Sequence, residues 1–129
     1  LRGKLNAYGS DDVPVLDDIV RKLDQKYAQF TVNTKGGSGG SDHAIFANQA
    51  RKPTIFFNTG GHPYYHTPDD DAHRIDFEGL VLVGRFALEM IWNFDQSGQN
   101  MIFKASYHGP VLDEVHDHGI HGHTHEMER

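Results

Sequence analysis

The sequence predicts an α/β fold, a layered sheet with flanking helices. Three observations carry the prediction. Segments of strand composition alternate with segments of helical period, in the order strand, helix, strand, helix, strand, helix. The glycine- and proline-rich stretches fall between these segments, where α/β proteins carry their functional loops. The 129 residues, 37% hydrophobic and 23% charged, suit one globular domain with one core.

Each element has its own warrant. Residues 4–8 alternate weakly and stop at Gly9 and Ser10, which predicts a short strand. Ser10, Asp11 or Asp12 is placed to cap a helix, and Pro14 suits its first turn. Leu16, Ile19, Val20, Leu23 and Tyr27 then form one apolar stripe. Residues 30–34, "FTVNT", are rich in β-branched side chains and predict a second strand. "KGGSGGSDH", residues 35–43, cannot be an element interior, so a loop is expected there, with Ser41 or Asp42 capping the helix of residues 43–50. "TIFFN", residues 54–58, reads as a buried strand. Asp76 caps a last helix over residues 77–94, with Glu78 in its first turn. The apolar residues of that helix surround most of its circumference, which predicts burial on more than one side. "MIFKASY" beyond it reads as a short strand or helix.

Composition excludes some functions. The net charge of -6 argues against a nucleic-acid partner. With no cysteine, disulfides and thiolate metal ligands are absent. No apolar run approaches the roughly 18 residues of a membrane span. The chain opens without methionine, inside a segment that reads as a strand, so a processed or partial chain is expected. Histidine is the outlier: ten copies, six of them (His108, His116, His118, His121, His123 and His125) within the last 22 residues. The expectation is therefore a domain over residues 1–94 and a linker with a histidine-rich tail over residues 95–129. Imidazoles at this spacing can close on zinc, nickel or copper. The plainer reading of the tail, a mobile segment with adventitious metal affinity, is preferred. A metal-binding or assembly module built on His116, His118, His121, His123 and His125 is the alternative to an enzyme. Zinc titration of the full chain against a form ending at Phe94 separates the two.

The richest stretch is "GGHPYYHTPDDD", residues 60–71. Two histidines four apart share a face on a helix and can both bind zinc. Glycine and proline make this stretch a loop, so at most one of His62 and His66 need be a ligand. An incidental surface loop has equal standing at this point. Asp69, Asp70 and Asp71 could hold a cation or orient a histidine. A solvated acidic turn is the favoured reading for a bare aspartate run. Ser41, Asp42 and His43 are neighbours in sequence, but catalytic triads meet in space, so helix capping is favoured over nucleophilic catalysis. "GGSGGS" lacks the ending of a phosphate loop.

Taken in order, these loops resemble the C-terminal half of an M28-family zinc aminopeptidase, a fold shared with glutaminyl cyclases. Ser41, Asp42, His43 and Phe46 match one family segment. Pro53 and residues 54–57 match the strand that follows. Gly60, His62, Tyr65, His66, Thr67 and Asp70 match the histidine loop, and residues 75–79 the helix start. The similarity covers about residues 4–94. It implies that His66 is a zinc ligand and that Tyr65 helps stabilise the oxyanion. It further implies that Asp70 braces the loop, that Asp42 joins the active-site hydrogen-bond network and that His62 is a bystander. It implies zinc as cofactor, a peptide as substrate and an exported or periplasmic setting. The family's other ligands and its general-base glutamate belong to the N-terminal half, before the point that Leu1 matches. The expectation is thus a chain inactive alone, with an exposed sheet edge and an uncovered apolar face. Such a chain should self-associate or pair with an N-terminal complement.

Overall fold

A computed structural model describes residues 3–36 and 40–105. Strand β1 (Gly3–Tyr8) is followed by a single 3-10 turn (Ser10–Asp12) and helix α1 (Pro14–Lys26). Strand β2 (Phe30–Asn33), a π-helical turn (Ile45–Gln49) and strand β3 (Phe56–Asn58) come next. A second 3-10 turn (Ala72–Arg74) leads into helix α2 (Phe77–Ser97). The sheet has the order β2-β1-β3. The β1–β2 pair is parallel, with α1 as the crossover that a parallel pair requires. The β1–β3 pair is antiparallel, so the sheet is mixed.

Side-chain alternation along β1 divides the sheet into two faces. Leu5 and Ala7 point into a core closed by Ile19, Val20 and Leu23 of α1 and by Phe86 and Met90 of α2. Both helices therefore lie on one face. Phe86, with no exposed surface, is the hub of the core. Its ring meets Tyr27, Phe30 and Phe57 edge-on at centroid distances of 5.4, 5.5 and 6.1 Å. Burial holds the Tyr27 phenol above its ordinary pKa range. Asn6 points to the other face and is buried. Its amide donates to Asn58 at 2.8 Å and its carbonyl accepts from Asn33 at 3.2 Å. One asparagine from each strand thus satisfies its neighbour and fixes the register.

Helix α1 starts differently from the expectation. Its N-cap is Val13, with no side-chain cap; Pro14 occupies the first turn as expected. Ser10 is not available for capping because it is buried, its hydroxyl donating 2.7 Å to the Ala7 carbonyl. Ser41 and Asp42 likewise make no side-chain cap; it is their backbone carbonyls that accept from the Ala44 and Ile45 N–H groups, at 3.0 and 3.2 Å. Only Asp76 caps as predicted, its Oδ1 accepting from the Gly79 N–H at 3.0 Å. Asp76→Ala should lower stability by about 1 kcal/mol. Urea unfolding followed by circular dichroism measures this; a change below about 0.3 kcal/mol would show that the bond is not limiting.

Two burial expectations need correction. Residues 54–58 form a strand only at Phe56–Asn58, and this edge strand is half-buried. Helix α2 is buried on one side only. Phe86 and Met90 face the core, whereas Leu80, Val81, Leu88, Ile91 and Trp92 are exposed. The cause is geometric. The three-stranded sheet and α1 together cover one stripe of α2, and no described element lies against the other. After Ser97 the chain turns at Gly98, in the left-handed region, and returns to the first 3-10 turn. There the Lys104 N–H donates to the Asp12 carbonyl and its ammonium to the Asp11 carbonyl, each at 2.8 Å. Residues 101–105, the described part of "MIFKASY", form neither strand nor helix. Among the described residues, no helix is long and apolar enough to cross a membrane.

Candidate functional site

The loop from β3 to α2 is built by short-range hydrogen bonds. Asn58 opens it, its side-chain oxygen accepting from the Gly60 N–H at 2.9 Å in an Asx turn. Gly60 can follow because its φ is +97°. The Tyr65 N–H then donates to the His62 carbonyl at 3.1 Å. The Tyr64 carbonyl accepts twice from Thr67, from the N–H at 3.0 Å and the hydroxyl at 2.7 Å. The Asp70 N–H closes the next turn on the Thr67 carbonyl at 3.2 Å. Arg74 ties the end of the loop to its start. Its Nε donates to the Asp69 carbonyl at 2.7 Å, and its guanidinium sits 3.5 Å from the centroid of the Tyr64 ring.

His66 stands at the tip with φ of +58°. A non-glycine residue in the left-handed region costs free energy and persists only where its surroundings determine it. Thr67 on one side, held by two bonds, and Tyr65 on the other supply that determination. The Tyr65 and His66 rings stack at 3.9 Å between centroids, 20° apart. Both side chains face solvent, and Tyr65 keeps 60% of its surface exposed. An imidazole and a phenol are thus held side by side and open.

Asp70 does not pair with His66. Its carboxylate comes within 3.9 Å of His62 Nε2, and the His62 ring also stands edge-on to Tyr65 at 6.0 Å. The His62 side chain thus lies between Asp70 and Tyr65, with no side-chain hydrogen bond to either among the described contacts. Arg74 and Asn58 were missed by sequence reasoning. Asn58 had a signal, since "NTG" is Asx-turn chemistry. Arg74 had none, because a residue reaching back across an irregular loop follows no period. A cleft of about 840 Å³ adjoins the loop, lined by His62, Tyr64, Asp70 and Arg74 with Phe30 and Leu80.

Asp42 lies elsewhere. The neighbouring His43 ring stacks on Phe56 at 4.5 Å, and Phe56 pairs with Tyr8 at the end of β1. Strand β3 runs from there to Asn58, opposite Asn6, before the histidine loop begins. His43, next to Asp42, thus stacks at the first residue of β3, and His66 lies in the loop that follows its last. His108, His116, His118, His121, His123 and His125 lie outside the described residues.

A catalytic zinc ion needs about three protein ligands. Among the described residues, no group of three or more histidine, aspartate or glutamate side chains gathers to hold a metal. His66 offers one ligand position, so the described residues do not by themselves fit a complete zinc site. In comparison with known proteins, the model of one family, peptidase family M28, matches residues 4–91. No curated protein and no solved structure gives a match.

Proposed function

We propose, from the premise that this chain belongs to peptidase family M28, that it forms the histidine-bearing wall of a zinc-dependent aminopeptidase. The complete site would hydrolyse N-terminal peptide bonds with a metal-activated water. The observation that carries the reading is the coincidence of the family match with the loop around His66. That loop holds one imidazole in a left-handed conformation, open to solvent beside a phenol. In this reading His66 is the metal ligand and Tyr65, stacked on it, presents a hydroxyl to the substrate carbonyl. Asp70 braces the histidine loop, and Asp42 belongs to the hydrogen-bond network of the active site. The remaining ligands come from residues beyond those described.

Because the resemblance places the other ligands in the family's N-terminal half, the 129-residue chain is expected to have little or no activity alone. The test is an aminopeptidase assay with aminoacyl nitroanilides and added zinc. Turnover should stay at the level of a metal-only blank. Robust turnover that His66→Ala abolishes would place a complete site within this chain and overturn the claim of inactivity. Robust turnover indifferent to His66→Ala would overturn the site assignment itself.

A further inference from the structure

The histidine loop and the glycine-rich loop start from one row of the sheet. Asn33 is the last residue of β2 and Asn58 the last of β3, and both stand opposite Asn6 of β1. Each end of the row is an Asx turn. Asn33 Oδ1 accepts from the Lys35 N–H at 3.3 Å, as Asn58 Oδ1 accepts from the Gly60 N–H at 2.9 Å. The amides between them are polarised in one direction. The Gly60 N–H requires an oxygen from Asn58, and the same oxygen accepts from Asn6 Nδ2 at 2.8 Å. Asn6 therefore turns its own oxygen to Asn33, whose Nδ2 donates at 3.2 Å. That leaves the Asn33 oxygen for Lys35. Two backbone donors, one at each end, impose the same orientation on all three side chains.

We propose that Asn6 is a positioning residue: through Asn58 it sets the direction in which the histidine loop leaves the sheet, and so where His66 and Tyr65 stand. Packing does not do this. A side chain added at Gly60 would meet nothing within 4 Å, so the chain is sterically open at that hinge. Beyond it the loop is closed on itself by the turns at Tyr65, Thr67 and Asp70 and by Arg74. A change of direction at Gly60 would carry the stacked His66 and Tyr65 with it as a unit. A buried amide is stabilising only with its partners in place, so Asn6, 3% exposed, selects one arrangement where an apolar residue would tolerate several. The consequence for a catalytic site rests on the reading of His66 given above; the geometry that Asn6 imposes does not.

The same isosteric change at two neighbouring positions should have opposite effects. Asn58→Asp keeps an acceptor for both Asn6 and Gly60 and should preserve the hinge. Asn6→Asp sets an acceptor against the shared oxygen and should release it. Asn6→Leu removes the donor without burying a charge and should release it too, which keeps the test available if Asn6→Asp does not fold. The first readout is amide hydrogen exchange of the full chain by NMR, comparing Gly60 with Phe86, whose amide reports opening of the core. In both Asn6 variants Gly60 should exchange faster relative to Phe86 on the order of 10-fold. The second is the distance between spin labels at Lys22→Cys and Asp69→Cys, two exposed sites in a chain without cysteine. Its distribution should be narrow in the parent and in Asn58→Asp, and broadened or shifted in the Asn6 variants. If Gly60 and Phe86 accelerate equally, Asn6 serves stability alone and the proposal is overturned. It is overturned as well if Asn58→Asp behaves like Asn6→Asp, or if the distance distribution is the same in every variant. None of these results reads turnover, so their failure leaves the His66 assignment standing, and failure of that assignment leaves the hinge geometry standing.

Discussion

Phe86→Ala should come close to abolishing the folded state. Phe86 is fully buried and touches three other aromatic rings, one at the end of α1, one in β2 and one in β3. Removing a buried phenylalanine costs about 3–5 kcal/mol, through lost transfer free energy and the cavity left behind. The edge-on ring contacts add about 0.5–1.5 kcal/mol each to what is lost. A domain of this size has a total stability of about 5–15 kcal/mol. Urea unfolding at fixed protein concentration should show the midpoint falling by about 2 M or more, or the native baseline disappearing. Phe86→Leu keeps most of the volume and should cost only about 1.5 kcal/mol. Equal losses from the two variants would mean that α2 is not held by the aromatic cluster. A loss below about 1 kcal/mol for alanine would mean that α2 does not rest on this core at all.

Gly9→Ala should be the next most damaging substitution, for a reason unrelated to hydrophobicity. Gly9 has φ of +87°, and a Cβ there would fall well inside van der Waals contact with the Thr54 carbonyl oxygen. Strand β1 turns at this point into the 3-10 segment while the chain approaching β3 passes against it. The left-handed conformation alone costs an alanine about 1 kcal/mol. The clash is with backbone, which cannot step aside as a flexible side chain would. A loss of about 3 kcal/mol or more is expected. Gly60 provides the control. Its φ is +97°, but nothing lies within 4 Å of the added Cβ. Gly60→Ala should therefore show the conformational cost without the clash. Chemical denaturation of both variants separates the two effects, and equal losses would show that the approach at Thr54 is not tight.

The legible parts of the fold were those set by local rules. The stripe of α1, the Asp76 cap and the β-branched run of β2 depend on spacing within one segment, and they appear where expected. The caps at Ser10 and Ser41 failed because capping ability is common and tertiary contacts decide its use. Ser10 is drawn into the turn after β1 instead. Burial of α2 failed for a related reason. An apolar circumference shows that a helix has two faces to cover, but not that the described elements suffice to cover both. In the loop, the histidines and tyrosines could be singled out from the motif. Which of them Asp70 approaches could not, since that depends on how the turns at Tyr65, Thr67 and Asp70 fold the chain.

The histidine loop closes on itself through Asn58, Thr67 and Arg74, and this has a thermodynamic consequence for assembly. Ordering a backbone residue costs about 1–2 kcal/mol of conformational entropy. Here that cost falls within the folding of this chain. On the proposed reading, completing the site would then be docking onto an ordered loop rather than coupled folding. The heat-capacity change on such an association should scale with the interface alone, and a metal bound at His66 should carry no penalty for ordering that residue.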